Sequence, residues 1–348
     1  MTKKRKKKNN HKSAIWLSIL GVVLVIFIAG ATWFYPVFAT HPAHEGMLYV
    51  RPGMSQQQLI DTISAHYGND YADKVKRLMA VRNIDTQRRI GAYKVTAQMN
   101  AYDLWRALAS GIQTPIKFTF NNIRDIKEFS HRAAQQLSFE SHEMLDILSD
   151  STECAAYGFT PQTIPAMLIS DTYEVYWNIS PHHLLTKLKA SYDNFWTSER
   201  IEKAKALKLT PVEVATLASI VDSETNYAPE KGIVARLYLN RIKKGMKLQS
   251  DPTAKFAVGD YSLRRITQQH TLIASPYNTY YVYGLPPGPI SMPTKATLDA
   301  VLNAPENDYI YMCAKEDFSG SHNFAVDYKT HLNNARRYRQ QLDQRGIY

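Results

Sequence analysis

The sequence predicts an α+β protein that begins with a single transmembrane helix. The first observation is an uncharged, largely apolar segment near the N-terminus, at residues 14–40. The second is an alternation of strand-like and helix-like patterns after it, and the third is a C-terminal part in which helix signals mix with strand-like runs at 309–313 and 322–326. With 348 residues, 45% of them hydrophobic and 21% charged, the chain can form about two cored domains. This composition excludes the globally disordered, collagen-like and disulfide-scaffold classes.

The N-terminal segment combines a basic cluster with the apolar stretch. Seven lysine and arginine residues lie in the first 12 positions of a chain whose net charge is +11, and no acidic residue precedes Glu45. A helix of about 20 apolar residues is enough to cross a bilayer. We therefore predict a cytoplasmic basic segment at 1–13 and a transmembrane anchor at 14–36. By the positive-inside rule the rest of the chain then lies outside the cytoplasmic membrane, at its periplasmic face.

Two alternatives concern this segment. Val37-Phe38-Ala39 loosely resembles a cleavage site, so the segment could be a secretory signal peptide, although its apolar part is longer than the usual run of about 7–15 residues. The basic cluster could also bind nucleic acid. Export of the remaining chain argues against that interpretation, and we expect no nucleic-acid partner.

Residues 41–120 are predicted to form a small module of strands and helices. Ser55 and Asn100 are typical N-cap residues, and each is followed by apolar residues at helical spacing. Strand-like runs occur at 47–50, 91–95 and 116–120. Because the module has no acid/base cluster, we expect it to bind or to space rather than to catalyse.

Residues 121–204 are predicted to be a mainly helical connecting region, with a weakly marked boundary near residue 120. Ser180-Pro181 has the composition of a helix start. Cys154 and Cys313 each lack a nearby cysteine, which excludes a cysteine-cluster metal site. We interpret them as two separate core thiols, with one long-range disulfide as the alternative.

One predicted helix carries an acidic residue on its apolar face. Thr210 and Glu213 match a capping box, and Pro211 suits the first helical position. Glu224 follows the apolar stripe formed by Leu217, Ile220 and Val221 at helical spacing, so its carboxyl group projects from the face that packs into protein. Loss of hydration raises the pKa of a carboxyl group, as a general acid at neutral pH requires. Glu224 is therefore the candidate catalytic residue, although an acid in a last helical turn can equally reach solvent or a nearby arginine.

Two later segments and one histidine offer polar side chains suited to binding a carbohydrate. Segment 249–253 places several short polar groups next to a proline, and segment 275–290 is dense in tyrosine, glycine and proline. Tyrosine rings stack on sugar faces, and their hydroxyls bond to sugar hydroxyls. The candidates are Gln249, Ser250, Asp251, Asn278, Tyr280 and His322. Each also has a structural explanation: Asp251 as a turn or cap residue, His322 as a hydrogen-bonded structural histidine, and the tyrosines as a packed loop.

These segments closely resemble the endolytic murein transglycosylase (YceG-like) family. The motifs match in order and rough spacing, and they are Leu217–Thr225, Asn240-Arg241, Gln249–Thr253, Tyr277–Tyr280 and Gly284–Ile290. Asp171-Thr172-Tyr173, His322-x-Phe324 and His331 fit as well. The resemblance runs from the anchor to the C-terminus and is strongest from 205 to 335. Three positions depart from the family: Asp222 for a glutamate, Ser170 for a proline and Ala325 for a serine.

The resemblance implies a membrane-anchored enzyme with a LysM-like module at 41–120 and a YceG-like catalytic domain at 205–348. Such enzymes cleave the β-1,4 bond between N-acetylmuramic acid and N-acetylglucosamine in nascent peptidoglycan and leave 1,6-anhydromuramic ends. Glu224 takes the position of the catalytic glutamate, which acts first as acid and then as base, so no metal and no cofactor is expected. The implied partners are glycan strands, the cytoplasmic membrane and penicillin-binding wall synthases.

Two other functions stay open at this point. In a muramidase-type hydrolase, Asp251 would serve as the second carboxylate, and the products would have reducing muramic ends. In a non-catalytic scaffold of cell-wall synthesis, the same cleft would only bind glycan.

Overall fold

The computed structural model of this chain describes residues 9–263 and 265–346. They fall into two compact units. Unit 1 comprises the described residues up to Ile116 together with Tyr176–Asn178, and unit 2 comprises Lys117–Val175 and the described residues from Ile179 onward. The structure mixes helices and strands and has an apolar N-terminal helix, which confirms the predicted α+β class at this level.

Unit 1 contains four α-helices and two complete strands within its described residues. They are α1 (Asn9–Ala39), β1 (Gly46–Val50), α2 (Gln56–Tyr67), α3 (Asn69–Val81), β2 (Gly91–Val95) and α4 (Ala101–Ser110). The strands β1 and β2 pair in antiparallel register, with Leu48 opposite Tyr93. The predicted caps are confirmed, since the Ser55 side chain accepts from the backbone N–H of Gln58 and begins α2, and Asn100 begins α4 in the same way.

The C-terminal end of α1 packs on the core of unit 1. Val37 is completely buried in the hydrophobic cluster that α2, α3, α4 and the two strands share. The Trp33 ring lies 5.8 Å from the guanidinium group of Arg77 on α3. The preceding part of the helix is different, because the most apolar window of Ala14–Ala39, with a mean hydropathy of 2.7, is not buried by any described residue. By length and composition this helix is able to cross a membrane.

Unit 2 holds most of β3 and the remaining strands and α-helices of the described residues. They are β3 (Ile116–Phe120), α5 (Ile126–Gln136), α6 (Ser141–Ser149), α7 (Ser151–Ala156), β4 (Asp171–Val175), α8 (Pro181–Phe195), α9 (Ser198–Ala206), α10 (Pro211–Glu224), α11 (Lys231–Lys243), α12 (Asp251–Val258), α13 (Gln268–Thr271), α14 (Lys295–Leu302), β5 (Tyr311–Ala314), β6 (His322–Ala325) and α15 (Tyr328–Gln344). β3 pairs with β4, and β5 forms an antiparallel hairpin with β6 in which Ala314 lies opposite His322. The strand-like run at 309–313 begins only at Tyr311, because side chains of α11 bind the carbonyls of Tyr309 and Ile310.

The helix α10 is the centre of unit 2. Every residue from Val214 to Val221 is buried, because α11, α12 and α14 pack around the helix. The predicted apolar stripe of Leu217, Ile220 and Val221 is buried, and the other faces of the helix are buried with it. Small residues such as Ala215, Ala218 and Ser219 let neighbouring elements approach the other faces as well.

The two cysteines are separate thiols in this structure. Cys154 is buried on α7, Cys313 is half-buried on β5, and both are free. The two-thiol interpretation is therefore confirmed over the disulfide.

Candidate active site

The local sequence places Glu224 at the end of a firmly started helix. The Thr210 side chain accepts from the backbone N–H of Glu213, and the Glu213 carboxylate accepts from the backbone N–H of Thr210 at 2.7 Å. This is the predicted capping box, with Pro211 at the first helical position. Thr225 is extended and ends the helix, so Glu224 is its last residue. The carboxyl group thus emerges one turn after the buried part of the helix, which ends at Val221.

Two hydroxyl groups hold one oxygen of Glu224. The Tyr238 hydroxyl on α11 donates to Oε1 at 2.7 Å, and the Ser250 hydroxyl donates to the same atom at 2.5 Å. Within the described residues, Oε2 has no hydrogen-bond partner. When Glu224 is protonated, the proton therefore belongs on Oε2, because Oε1 is already occupied by two donors.

The surroundings of Glu224 favour its neutral form. Burial raises the pKa of its carboxyl group, because removal from water disfavours the charge. The hydrogen bonds from Ser250 and Tyr238 oppose this effect, the negative charge of Asp251 adds to it, and His322 lowers it, with a raised pKa as the result. Tyr238 has a strongly raised pKa, first through burial and then through the Glu224 charge, so its hydroxyl stays a donor.

Asp251 and Tyr280 form a second bonded pair next to Glu224. The Tyr280 hydroxyl donates to Asp251 Oδ1 at 2.6 Å. Burial and the Asp251 carboxylate both raise the pKa of Tyr280. Asp251 itself is exposed and is the first residue of α12, directly after the N-cap residue Ser250, whereas its structural explanation from the sequence was a turn or cap residue.

Glu224 and Asp251 lie where two cavities meet. One cavity has a volume of about 650 Å³ and has Phe256 and Tyr261 in its wall, with several basic residues around them. The other has a volume of about 290 Å³ and is lined by Tyr238 among others. Because both carboxyl groups line both cavities, a chain-like ligand that occupies the two spaces would pass directly over them.

The structure brings four of the six predicted binding residues to these cavities, namely Gln249, Asp251, Tyr280 and His322. Ser250 is buried and lines neither cavity, and it belongs to the site through its hydrogen bond to Glu224. Asn278 lines neither cavity. It is completely buried, and its amide donates to the carbonyls of His270, Thr271 and Ile273. A buried amide has to satisfy its donors internally, and here it shapes the loop behind the site instead of facing a ligand.

Three residues at the site were not predicted. Tyr238 was missed because a tyrosine in an apolar helical run looks like an ordinary core residue. Arg241 was noted only as part of a motif. It is buried, donates to the carbonyls of Leu248 and Ile310 at 2.6 Å, and lines the smaller cavity. Glu230, which binds His322, directly precedes α11. It was missed because an acidic residue at a helix start is common and its sequence context does not indicate a role in a site.

Asp222 lies apart from Glu224. Its carboxylate binds the Lys231 ammonium group and the Thr297 hydroxyl, each at 2.5 Å. Both partners lie on the side of α10 that faces α11 and α14. The two acids of this segment therefore have separate partners and do not form a carboxylate pair.

Comparison with known proteins places the chain in a family. A sequence model described as the YceG-like family matches residues 48–337, which is most of the chain. The chain belongs to the YceG-like family. That range contains Glu224, Asp251 and every other residue of the two cavities named above.

Two curated relatives are similar to part of this YceG-like chain. A Bacillus subtilis (strain 168) protein named endolytic murein transglycosylase is 34% identical over 133 residues, which make up 38% of this chain and 36% of that protein. A Streptococcus pneumoniae (serotype 2, strain D39) protein of the same name is 29% identical over 151 residues, 42% of this chain and 27% of that protein. The chain thus aligns with about a third of the length of these relatives.

A solved structure shares the fold. The crystal structure of a YceG-like protein from Listeria monocytogenes superposes with a TM-score of 0.57 at 22% identity. The match covers 83% of this chain and 98% of that chain. At this identity the likeness establishes a common fold and nothing further.

Proposed function

We propose that this YceG-like protein is an endolytic murein transglycosylase, with Glu224 as its catalytic residue. It would cleave the β-1,4 bond between N-acetylmuramic acid and N-acetylglucosamine in nascent peptidoglycan and leave 1,6-anhydromuramic ends. One observation carries the proposal: a carboxyl group with a raised pKa, bonded to Tyr238 and Ser250, sits between two cavities. The names of the two curated relatives agree with it.

The contacts of Glu224 suit the two steps of this reaction. In the first step, the Oε2 proton passes to the glycosidic oxygen while the bond from that oxygen to the anomeric carbon breaks. In the second, the muramyl 6-hydroxyl oxygen bonds to the anomeric carbon, and its proton returns to the Glu224 carboxylate. Tyr238 and Ser250 stay bonded to Oε1 throughout and stabilise the carboxylate between the steps. One acid then suffices, because the substrate supplies its own nucleophile.

Asp251 would assist without exchanging a proton. Its carboxylate, oriented by the Tyr280 hydroxyl, lines both cavities and would stabilise positive charge that develops on the sugar ring. Gln249 and His322 would bind the sugar in the smaller cavity. A hydrolase with Asp251 as second carboxylate would use the same geometry but release different ends.

The proposal includes the rest of the chain. Residues 1–13 would lie in the cytoplasm and 14–36 would anchor the protein in the cytoplasmic membrane. A LysM-like module at 41–120 and a helical connection at 121–204 would then precede the catalytic domain at 205–348. The exposed apolar helix and the separate core of unit 1 support this order. Penicillin-binding wall synthases are proposed partners.

The test is product analysis with the full-length protein in detergent. Purified peptidoglycan is incubated with wild type, with Glu224→Gln and with the exposed control Glu202→Gln, and the released muropeptides are identified by mass spectrometry. We expect 1,6-anhydromuramic ends from wild type and control, and a loss of at least about 100-fold in Glu224→Gln, since a general acid contributes about that much or more.

Each other outcome contradicts the proposal in a different way. Reducing muramic ends would favour hydrolysis with Asp251. Equal release by wild type and Glu224→Gln would remove Glu224 from the reaction, and no release by wild type would favour a glycan-binding scaffold.

A further inference from the structure

The carboxylate of Glu230 is bound by a single residue of the site. Its Oε1 accepts from the backbone N–H of His322 at 2.8 Å, and its Oε2 lies 3.0 Å from Nδ1 of the same histidine. Glu230 is only 7% exposed, and among the described residues His322 is its one ion-pair partner. A buried carboxylate needs such a partner, since burying an unpaired charge costs several kcal/mol.

The contact determines which ring nitrogen carries the hydrogen. A carboxylate only accepts, so Nδ1 of His322 has to be the protonated nitrogen. His322 lines the smaller cavity together with Glu224, and within the described residues Nε2 has no hydrogen-bond partner. In the neutral ring, Nε2 is therefore a hydrogen-bond acceptor available to a ligand.

The position of Glu230 in the fold lets this contact connect two elements of the site. Glu230 directly precedes α11, which carries Tyr238, and His322 begins β6. The bond to the backbone N–H holds the start of the strand, and the bond to Nδ1 holds the ring. The helix that supplies a partner of Glu224 and the strand that supplies the cavity histidine are thereby tied together.

We propose that Glu230 is a positioning residue that holds His322 with hydrogen on Nδ1, so that Nε2 accepts a hydrogen bond from an N–H or O–H group of the ligand in the smaller cavity. This assignment rests on the proposed function for the identity of the ligand, in which an acetamido N–H or a sugar hydroxyl supplies the donor. It assigns no proton transfer to Glu230.

The substitution Glu230→Gln tests the assignment because it reverses the tautomer. The backbone N–H of His322 cannot become an acceptor, so the glutamine oxygen has to face it. The glutamine NH₂ group then faces Nδ1, which must give up its hydrogen, and Nε2 becomes a donor. This change is nearly isosteric, and the exposed Glu306→Gln is the matched control.

The first readout is the nitrogen NMR spectrum of full-length protein labelled with ¹⁵N-histidine, in detergent. The chain has 11 histidines, and the His322 signals are identified by their loss in His322→Gln. We expect a hydrogen on Nδ1 in wild type and in the control, and on Nε2 alone in Glu230→Gln. A wild-type ring without hydrogen on Nδ1 would overturn the proposal, and so would an unchanged pattern in the variant. The wild-type spectrum alone is decisive if Glu230→Gln does not fold, and it needs no turnover, so it stands even if the proposed reaction fails.

The second readout is kinetic. We expect Glu230→Gln to lower kcat/KM for uncross-linked glycan strands about tenfold, mainly through KM, since one accepted hydrogen bond is lost. In a His322→Gln background the same change should have no further effect. An equal loss in both backgrounds would mean that Glu230 acts independently of His322 and would overturn the positioning role.

Discussion

At the scale of single residues, the site depends on a carboxyl group whose charge is disfavoured by burial and stabilised by two hydrogen bonds to one of its oxygens. Burial alone would make Glu224 a poor proton donor, since the charged form left after donation would be too unstable. The hydroxyls of Tyr238 and Ser250 oppose that effect by donating to the charged form. The group can therefore give up a proton and take it back, which is what a residue acting as acid and then base requires.

The opposite effects of burial and of the Tyr238 hydroxyl on the pKa of Glu224 predict how the pH profile of kcat/KM changes in Tyr238→Phe. The free protein needs protonated Glu224, so kcat/KM falls as the pH rises through the raised pKa of this group. The Tyr238 hydroxyl lowers that pKa by donating to the carboxylate, and its removal leaves the pKa higher still. We expect the falling limb of the profile to move to higher pH in Tyr238→Phe. The exposed Tyr176→Phe should leave it in place, and a limb that moves to lower pH in Tyr238→Phe would contradict this account.

At the scale of elements, the wall of the larger cavity depends on a close backbone contact. The segment 284–290 passes so near the chain at Gln162 that a Cβ on Gly288 would lie 1.9 Å from the Gln162 carbonyl oxygen. The segment is held next to α10 by the bond from the backbone N–H of Ile290 to the Ser219 hydroxyl, at 3.0 Å. Ile290 then lines the larger cavity beside Glu224.

This contact predicts different effects for two glycines of the same segment. Gly288→Ala has to displace backbone, and we expect it to lower the free energy of unfolding by about 3 kcal/mol, the upper part of the range for overpacking. Gly284 has a φ of +77° and open space around it, so Gly284→Ala should cost only about 1 kcal/mol of backbone strain. Denaturant unfolding of the full-length variants measures both. Equal losses of unfolding free energy in the two variants would show that the close approach to Gln162 does not restrict which side chain fits at position 288.

At the scale of the whole molecule, the chain joins an exposed apolar helix to two units with their own cores. The helix end is fixed to unit 1 by Val37, whereas its most apolar part is not buried by any residue that the structure describes. Exposed apolar surface of this extent marks contact with a membrane or with another protein. The basic cluster before it is the sequence feature on which the proposed anchor, with its N-terminus in the cytoplasm, depends.

Expression of the full-length chain in a bacterium distinguishes an anchor from a signal peptide. We expect the protein to stay in the membrane fraction through alkaline carbonate extraction, with the mass of the complete 348-residue chain. Val23→Lys should reduce insertion, since a lysine at the centre of a span costs about 3 kcal/mol, whereas Val22→Leu should not. A soluble product that begins near residue 40 would show cleavage and contradict the anchor.

Local sequence was sufficient for much of the fold. The caps Ser55, Asn100 and Thr210 were predictable because each acts on its own backbone within three residues. The burial of α10 on all faces was not, since it depends on helices from distant parts of the chain. The same limit explains Asn278, whose type suits a sugar contact but whose amide is used by three carbonyls of its own loop.

The sequence by itself determined the composition, the apolar segment and the capped helix that carries Glu224. The segment and the helix could be predicted because their patterns extend over only a few neighbouring residues. The partners of Glu224 are 14 and 26 positions away, and His322 is 92 positions from Glu230. Such contacts form when packing brings separate helices and strands together, and no short-range pattern encodes them. Folding therefore determines the chemistry of the carboxyl group, even though its position could be found from the sequence.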